Sequence, residues 1–149
     1  MDESLEHLAG NKWFICLDMN SGYWQVEVDE KDREKTAFCS RRGLFEFRVM
    51  PFGLCNAPAT FERLVETVLA GLHWKSCLVY LDDIIVAGRT FEEMLKHLDE
   101  VLERFEAANL KLKPRKCFLF AKEVEFLGHI VSADGIRTDP KKTESISTW

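Results

Sequence analysis

Tyr80-Leu81-Asp82-Asp83 sets two adjacent carboxylates between the apolar runs Cys77-Leu78-Val79 and Ile84-Ile85-Val86. The flanks, rich in Val, Ile, Leu and Tyr, read as two buried strands, with the Asp pair in the tight turn between them. This is a poor turn sequence. Two-residue hairpins favour Asn-Gly or Asp-Gly because the central residues need positive φ, and here neither position is Gly. Two ionised carboxylates about 4 Å apart also repel by roughly 4 kcal/mol at an effective dielectric of about 20, unless a cation sits between them. A local rule broken without local gain marks a functional site.

Upstream, Trp13-Phe14-Ile15-Cys16-Leu17 is another continuous apolar run and ends at Asp18, as a central strand covered on both faces would. Residues 24–28 alternate apolar and polar as a half-exposed strand, and residues 29–35 make a charged turn or short helix. Residues 36–40 and 44–49 form a hairpin around Arg41-Arg42-Gly43. After Met50-Pro51-Phe52-Gly53, Asn56 is the N-cap and Pro58 the first turn of a helix ending at Gly71. Its stripe is Phe61, Leu64, Val65, Val68 and Leu69.

Thr90-Phe91-Glu92-Glu93 is a capping box for a second helix, with Phe91, Met94, Leu95, Leu98, Leu102 and Phe105 inward and Asn109 as its stop. Short strands at 117–120, 124–127 and 129–131 close the chain, separated by Gly128 and followed by the turn Ser132-Ala133-Asp134-Gly135. The order predicts an α+β fold, a mainly antiparallel sheet with two helices packed on one face. If the Asp18 strand lies beside the Asp82-Asp83 hairpin, three carboxylates converge on the open side.

Composition narrows the classes. A chain of 149 residues fits one domain, and a domain of that size buries roughly 68–70% of its unfolded surface. With 46% hydrophobic and 30% charged residues, neither disorder nor membrane insertion is indicated. The apolar runs fall far short of the roughly 18 residues of a spanning helix. An acidic N-terminus without a hydrophobic region carries no secretory signal, so the chain is expected inside a cell. Cys16, Cys39, Cys55, Cys77 and Cys117 read as buried free thiols of a reducing compartment. His7, His73, His97 and His129 lack metal-ligand spacing, so zinc is not expected.

A net charge of −5 argues against nucleic acid. Against that, residues 107–122 hold Lys111, Lys113, Arg115, Lys116 and Lys122 and no acid, a stretch able to follow phosphates. An aspartate at a strand end is usually a turn residue, but a hydrophobic hairpin tipped by Asp-Asp shifts the balance toward function. On spacing alone Tyr23 and Trp24 read as packing aromatics and Gly53 as a hinge. Hard oxygen donors suit Mg²⁺ or Mn²⁺. Two such ions about 3.5–4 Å apart serve in-line displacement at phosphorus, in a polymerase or in a nuclease.

Five stretches together resemble the palm of reverse transcriptases of gypsy-type long-terminal-repeat retrotransposons. They are residues 17–26 (Leu17-Asp18-Met19-Asn20-Ser21-Gly22-Tyr23-Trp24-Gln25-Val26), residues 33–38, residues 50–61 (Met50-Pro51-Phe52-Gly53 through Phe61), Tyr80-Leu81-Asp82-Asp83, and Phe126-Leu127-Gly128-His129. They stand in family order over nearly the whole chain. The resemblance implies a polymerase palm with a ferredoxin-like core in which Asp18, Asp82 and Asp83 are the catalytic and metal-binding carboxylates, using two Mg²⁺ or Mn²⁺ ions. It implies that Ser21, Gly22, Tyr23, Phe52 and Gly53 bind the nucleotide, with Tyr23 under the sugar excluding a 2′-hydroxyl. Leu127 and Gly128 would hold the primer end. It assigns no role to Lys113, Arg115 or Lys116.

The implied activity is RNA- and DNA-templated DNA synthesis from dNTPs on a primer-template. The alternative is a non-catalytic or domesticated palm remnant that binds nucleic acid or protein. Tyr23 and the Phe52-Gly53 loop describe a nucleotide pocket, which disfavours the nuclease. The expected unit is residues 1–149, a palm with partial fingers at 29–49, as a fragment of a larger polyprotein without thumb or ribonuclease H. Its expected location is the cytoplasm, virus-like particles or the nucleus, not a membrane.

Overall fold

The computed structural model describes residues 2–141 and 144, so Met1 and Trp149, the ends of the expected unit, lie outside the described residues. Its centre is an antiparallel sheet built on the two apolar runs. Strand β1 (Trp13–Asp18) has β2 (Phe38–Ser40) and β3 (Gly43–Phe45) after it in sequence as a separate two-stranded hairpin. The main sheet pairs β1 with β4 (Cys77–Tyr80), β5 (Asp83–Gly88) and β6 (Phe118–Ala121) in the order β4-β5-β1-β6. A small meander of β7 (Glu123–Phe126), β8 (His129–Ser132) and β9 (Gly135–Thr138) completes the strands.

Alternation along β1 and β5 sends residues to two cores, because successive side chains point to opposite faces. Ile15, Leu17, Ile84 and Val86 pack with Phe61, Val65 and Leu69 of α2 (Ala57–Val68) and with Met94, Val101 and Phe105 of α3 (Phe91–Ala107). Phe14, Leu78, Ile85 and Ala87 meet Leu5 and Leu8 of α1 (Asp2–Leu8) and Val124, Phe126 and Val131 of the meander. The two-helix layer is as expected. The far face is also covered, which explains why these runs are apolar without interruption.

Several local expectations change. The hairpin turn consists of Leu81 and Asp82, since Tyr80 pairs with Asp83, and Leu81 takes the positive φ of 52°. Residues 22–25 wind into a 3₁₀ turn, leaving Glu27 bridged to Val49 in place of a five-residue strand. Asn56 precedes α2 but makes no side-chain cap bond. Thr90 does cap α3, its hydroxyl accepting the Glu93 N–H at 3.1 Å, while the Glu93 carboxylate accepts from the Arg89 N–H at 3.2 Å. The buried stripe of α3 is Met94, Val101 and Phe105, with Leu98 partly covered; Leu95 and Leu102 face outward, while the half-exposed Phe91 ring packs against Trp13 and Phe120. Among the cysteines only Cys77 is fully buried, and Cys39 and Cys55 are exposed. No helix among the described residues is long and apolar enough to cross a membrane.

Candidate active site

Asp18 ends β1 and Asp83 begins β5, and the antiparallel register sets them directly opposite each other. Asp82 stands in the adjoining turn. The pairing β1–β6 stops at Cys16 and Phe118, so the backbone of Asp18 needs other partners. Its N–H donates to Cys117 Sγ at 3.4 Å, and its carbonyl accepts from the Lys113 N–H at 2.8 Å. The chain that follows is locked by Gln25. Its Nε2 donates to the carbonyls of Asn20 and Lys111 at 2.7 and 2.8 Å, and its Oε1 accepts from the Lys111 N–H at 2.7 Å.

Asp18 and Asp82 line a cleft of about 260 Å³ together with Ser21, Gly22, Tyr23, Phe52 and Phe61, facing Lys113 and Lys116. Ser21 has the left-handed φ of 49° that turns the chain into the 3₁₀ helix at Gly22. Gly22 is required by packing: a Cβ there would lie 2.6 Å from Phe61 Cζ. Tyr23 sits between Phe52 and Phe61, at centroid distances of 5.2 and 5.6 Å. Burial, and then the charge of Asp82, push its phenol above the usual value. Phe52 supplies the ring from its loop, while Gly53, at φ 93°, supplies the bend behind it.

Asp83 opens onto a second groove of about 500 Å³ with Cys16, Phe118, Phe126, Leu127 and Gly128. Leu127 and Gly128 both have positive φ, 51° and 75°, and join Phe126 to its partner His129. That is the geometry of a two-residue type I′ turn. Tyr80 meets Phe126 edge to face at 5.7 Å, so the two hairpins touch. The residues expected at the site therefore divide between two hollows, Asp18, Ser21, Gly22, Tyr23, Phe52 and Asp82 lining the first and Asp83, Leu127 and Gly128 the second, while Gly53 lines neither.

The donor chemistry fits hard divalent cations, which take carboxylate oxygens. Desolvation raises the carboxyls of Asp82 and Asp83, followed by repulsion from Asp18 and, for Asp83, from Asp82. Among the described residues these carboxylates make no ion pair with Lys or Arg. A cation would relieve the repulsion. Among the described residues no group of three His, Cys, Asp or Glu side chains is already gathered to hold a metal, so the fit lies in donor type and charge, not in a preassembled coordination shell.

Lys113, Lys116, Phe61, Gln25 and Cys117 join the site in three dimensions without being site candidates on sequence grounds. The acid-free basic run carried a signal for the two lysines. Gln25 and Phe61 lie inside two of the stretches that carry the resemblance, but as residue types they read as a surface amide and as one more apolar position of a helix stripe.

A family model described as reverse transcriptase (RNA-dependent DNA polymerase) matches residues 2–131. The chain is 44% identical over 149 residues to the retrovirus-related Pol polyprotein from transposon 297 of Drosophila melanogaster, covering 100% of this chain and 14% of that protein. It is 40% identical over 145 residues to the Pol polyprotein from transposon gypsy of the same organism, covering 97% of this chain and 14% of that protein. Among solved structures it is similar to a foamy viral protease-reverse transcriptase in complex with double-stranded DNA. There the TM-score is 0.88 and the identity 26%, over 99% of this chain and 26% of that one. A foamy viral protease-reverse transcriptase in complex with an RNA/DNA hybrid gives a TM-score of 0.80 and 26% identity, over 95% of this chain and 20% of that one.

Proposed function

The chain belongs to the reverse transcriptase (RNA-dependent DNA polymerase) family, and on that footing we propose that it is the palm of a retrotransposon polymerase, with partial fingers at residues 29–49, extending a primer from dNTPs inside the cell. It spans 14% of the length of the transposon 297 and gypsy polyproteins. Fingers, thumb and ribonuclease H from the same polyprotein are accordingly its expected partners, with template and primer as substrates.

The observation that carries the reading is that Asp18 and Asp82 share one cleft with the ring of Tyr23. Asp18 and Asp82, assisted by Asp83, would hold two Mg²⁺ or Mn²⁺ ions. Bound there, such ions supply charge stabilisation to the attacking and leaving oxygens of an in-line displacement. Tyr23, braced by Phe52 and Phe61, gives the sugar a rigid wall that a 2′-hydroxyl would strike. Ser21 and Gly22 open a 3₁₀ turn, whose first N–H groups have no partner within the turn and are free for phosphate oxygens. Lys113 and Lys116 supply positive charge across the cleft. Leu127 and Gly128 border the groove beside Asp83 and would seat the primer end.

Primer extension by the polymerase region of the full polyprotein tests the reading. Activity should need a divalent ion and fall about 100-fold or more in Asp82→Asn. Tyr23→Ala should admit ribonucleotides about ten-fold more readily. Undiminished extension by Asp82→Asn would remove Asp82 from the proposed site.

A further inference from the structure

The ladder between β1 and β6 is interrupted by a loop that carries two lysines to the candidate cleft. On one side of the interruption Cys16 pairs with Phe118. On the other, Met19 bridges Leu112 in the same antiparallel sense, the Asn20 N–H donating to the Lys111 carbonyl at 2.9 Å and the Lys113 N–H to the Asp18 carbonyl at 2.8 Å. Between these anchors Pro114–Lys116 winds into a 3₁₀ turn, and Lys113 and Lys116 line the cleft with Asp18, Asp82 and Tyr23. Neither lysine makes an ion pair among the described residues. The second anchor is a single bridge, and Gln25 reinforces it. This residue ends the 3₁₀ turn Gly22–Gln25 that holds Tyr23, and its side chain bonds to a residue 86 positions further along the chain.

A side-chain amide has two N–H donors and one carbonyl acceptor, and in Gln25 both ends of the amide are engaged. Nε2 donates to the Asn20 and Lys111 carbonyls at 2.7 and 2.8 Å, and Oε1 accepts from the Lys111 N–H at 2.7 Å. Reversing the amide would set its oxygen against two carbonyls, so one orientation alone satisfies the network. We propose that Gln25 is a positioning residue for the incoming nucleotide, its amide clamping the loop of Lys113 and Lys116 to the turn that carries Tyr23. The inference rests on the polymerase reading in taking the ligand of the cleft to be a nucleoside triphosphate. The wall for the sugar and the charges for the phosphates belong to different segments, residues 22–25 and 113–116, and the clamp sets the distance between them. Lysine side chains are flexible, so their backbone is the part the fold can fix. Groups already held in place need less ordering when the ligand arrives, which is how preorganised sites gain affinity.

The test is single-nucleotide incorporation by the polymerase region of the full polyprotein, with kcat and the KM for dNTP measured separately, alongside hydrogen exchange of its backbone amides. Gln25→Met keeps the length of the side chain and loses all three hydrogen bonds. It should raise KM about ten-fold, with kcat within about two-fold of the parent, the pattern of lost binding common to ground and transition states. The Lys111 N–H should exchange about five-fold faster, while the amides of β5 keep their rates. Gln25→Glu, which turns oxygen toward both carbonyls, should raise KM at least as far. Lys113→Ala should raise KM in the parent and add little in Gln25→Met, because the charge is already displaced. Parent-like KM in both Gln25 variants overturns the proposal, as does full additivity of Gln25→Met with Lys113→Ala. A fall in kcat and in the urea midpoint at unchanged KM also overturns it, since a purely structural role gives that pattern. Absence of extension by the parent itself, with Lys111 exchange still accelerated in Gln25→Met, would support the clamp while removing the polymerase reading.

Discussion

Cys117, the residue just before β6, holds the backbone of Asp18. The Asp18 N–H donates to the thiol sulfur at 3.4 Å, and the thiol lies 3.3 Å from the Lys113 carbonyl, to which it donates. The contact spans 99 positions of sequence and replaces the ladder hydrogen bond that β1 lacks beyond Cys16. Cys117→Ala leaves that N–H without its acceptor and should cost about 1 kcal/mol in urea unfolding. Nucleotide incorporation should fall with it. Cys117→Ser keeps a donor and an acceptor and should recover most of both losses.

Gly22→Ala forces a methyl to within 2.6 Å of the end of the Phe61 ring. Overpacking of this kind costs about 1–3 kcal/mol, and the displaced ring is one of the two that brace Tyr23. Loss of sugar discrimination should exceed the loss of stability, and Phe61→Leu in the same chain should restore part of each. Gly88→Ala is the contrast. Its Cβ would lie 2.5 Å from the Met94 backbone nitrogen, where no side chain can turn aside, so its thermal midpoint should fall further than that of Gly22→Ala.

Leu81 stores strain at the turn before Asp82. A branched residue at φ 52° costs about 1 kcal/mol relative to glycine in that conformation. Leu81→Gly should therefore raise the unfolding midpoint while loosening Asp82 and lowering the rate of primer extension. Equal or lower stability in Leu81→Gly would show that the leucine side chain contributes more than its backbone costs.

The thiols should react in the order of their surroundings. Burial, with the Glu100 charge second, pushes Cys77 up to about 12; burial, then the Asp83, Asp18 and Cys117 charges, pushes Cys16 up to about 11. At about pH 8 both stay protonated and poorly nucleophilic. A thiol reagent should label exposed Cys39 and Cys55 promptly and Cys77 only on unfolding.

His7 makes the fold sensitive to acid. Burial first, then His73, lower its pKa from 6.5, so the folded chain resists a proton that the unfolded chain takes up. Its contribution is complete above about pH 6.5 and is lost as the pH falls below that value. Urea midpoints measured from about pH 7.5 to about pH 5.5 should fall, and fall less steeply in His7→Gln.

Legible in the sequence were the two apolar runs, the helices that cover one face, the capping of α3 by Thr90, and the three aspartates as candidates for the site. These are local facts: periodicity fixes which face is buried, and an unfavourable Asp-Asp pair between buried strands is anomalous wherever the strands lie. Two local expectations failed for nonlocal reasons. Leu81 and Asp82 form the turn because the register Tyr80–Asp83 is set by pairing along the whole hairpin, and Val101 replaces Leu95 and Leu102 in the core because the sheet chooses which part of a broad apolar stripe it covers.

The remaining relationships come from pairing between distant segments. Only the β1–β5 ladder brings Asp18 opposite Asp83, and only the return of the chain along β1 sets Lys113, Lys116 and Cys117 beside Asp18. No window of sequence contains those relationships, because they join residues brought together by nonlocal pairing. The same pairing divides the site, with Asp82 toward Tyr23 and Asp83 toward Leu127 and Gly128, so that two adjacent letters of the chain face two different hollows.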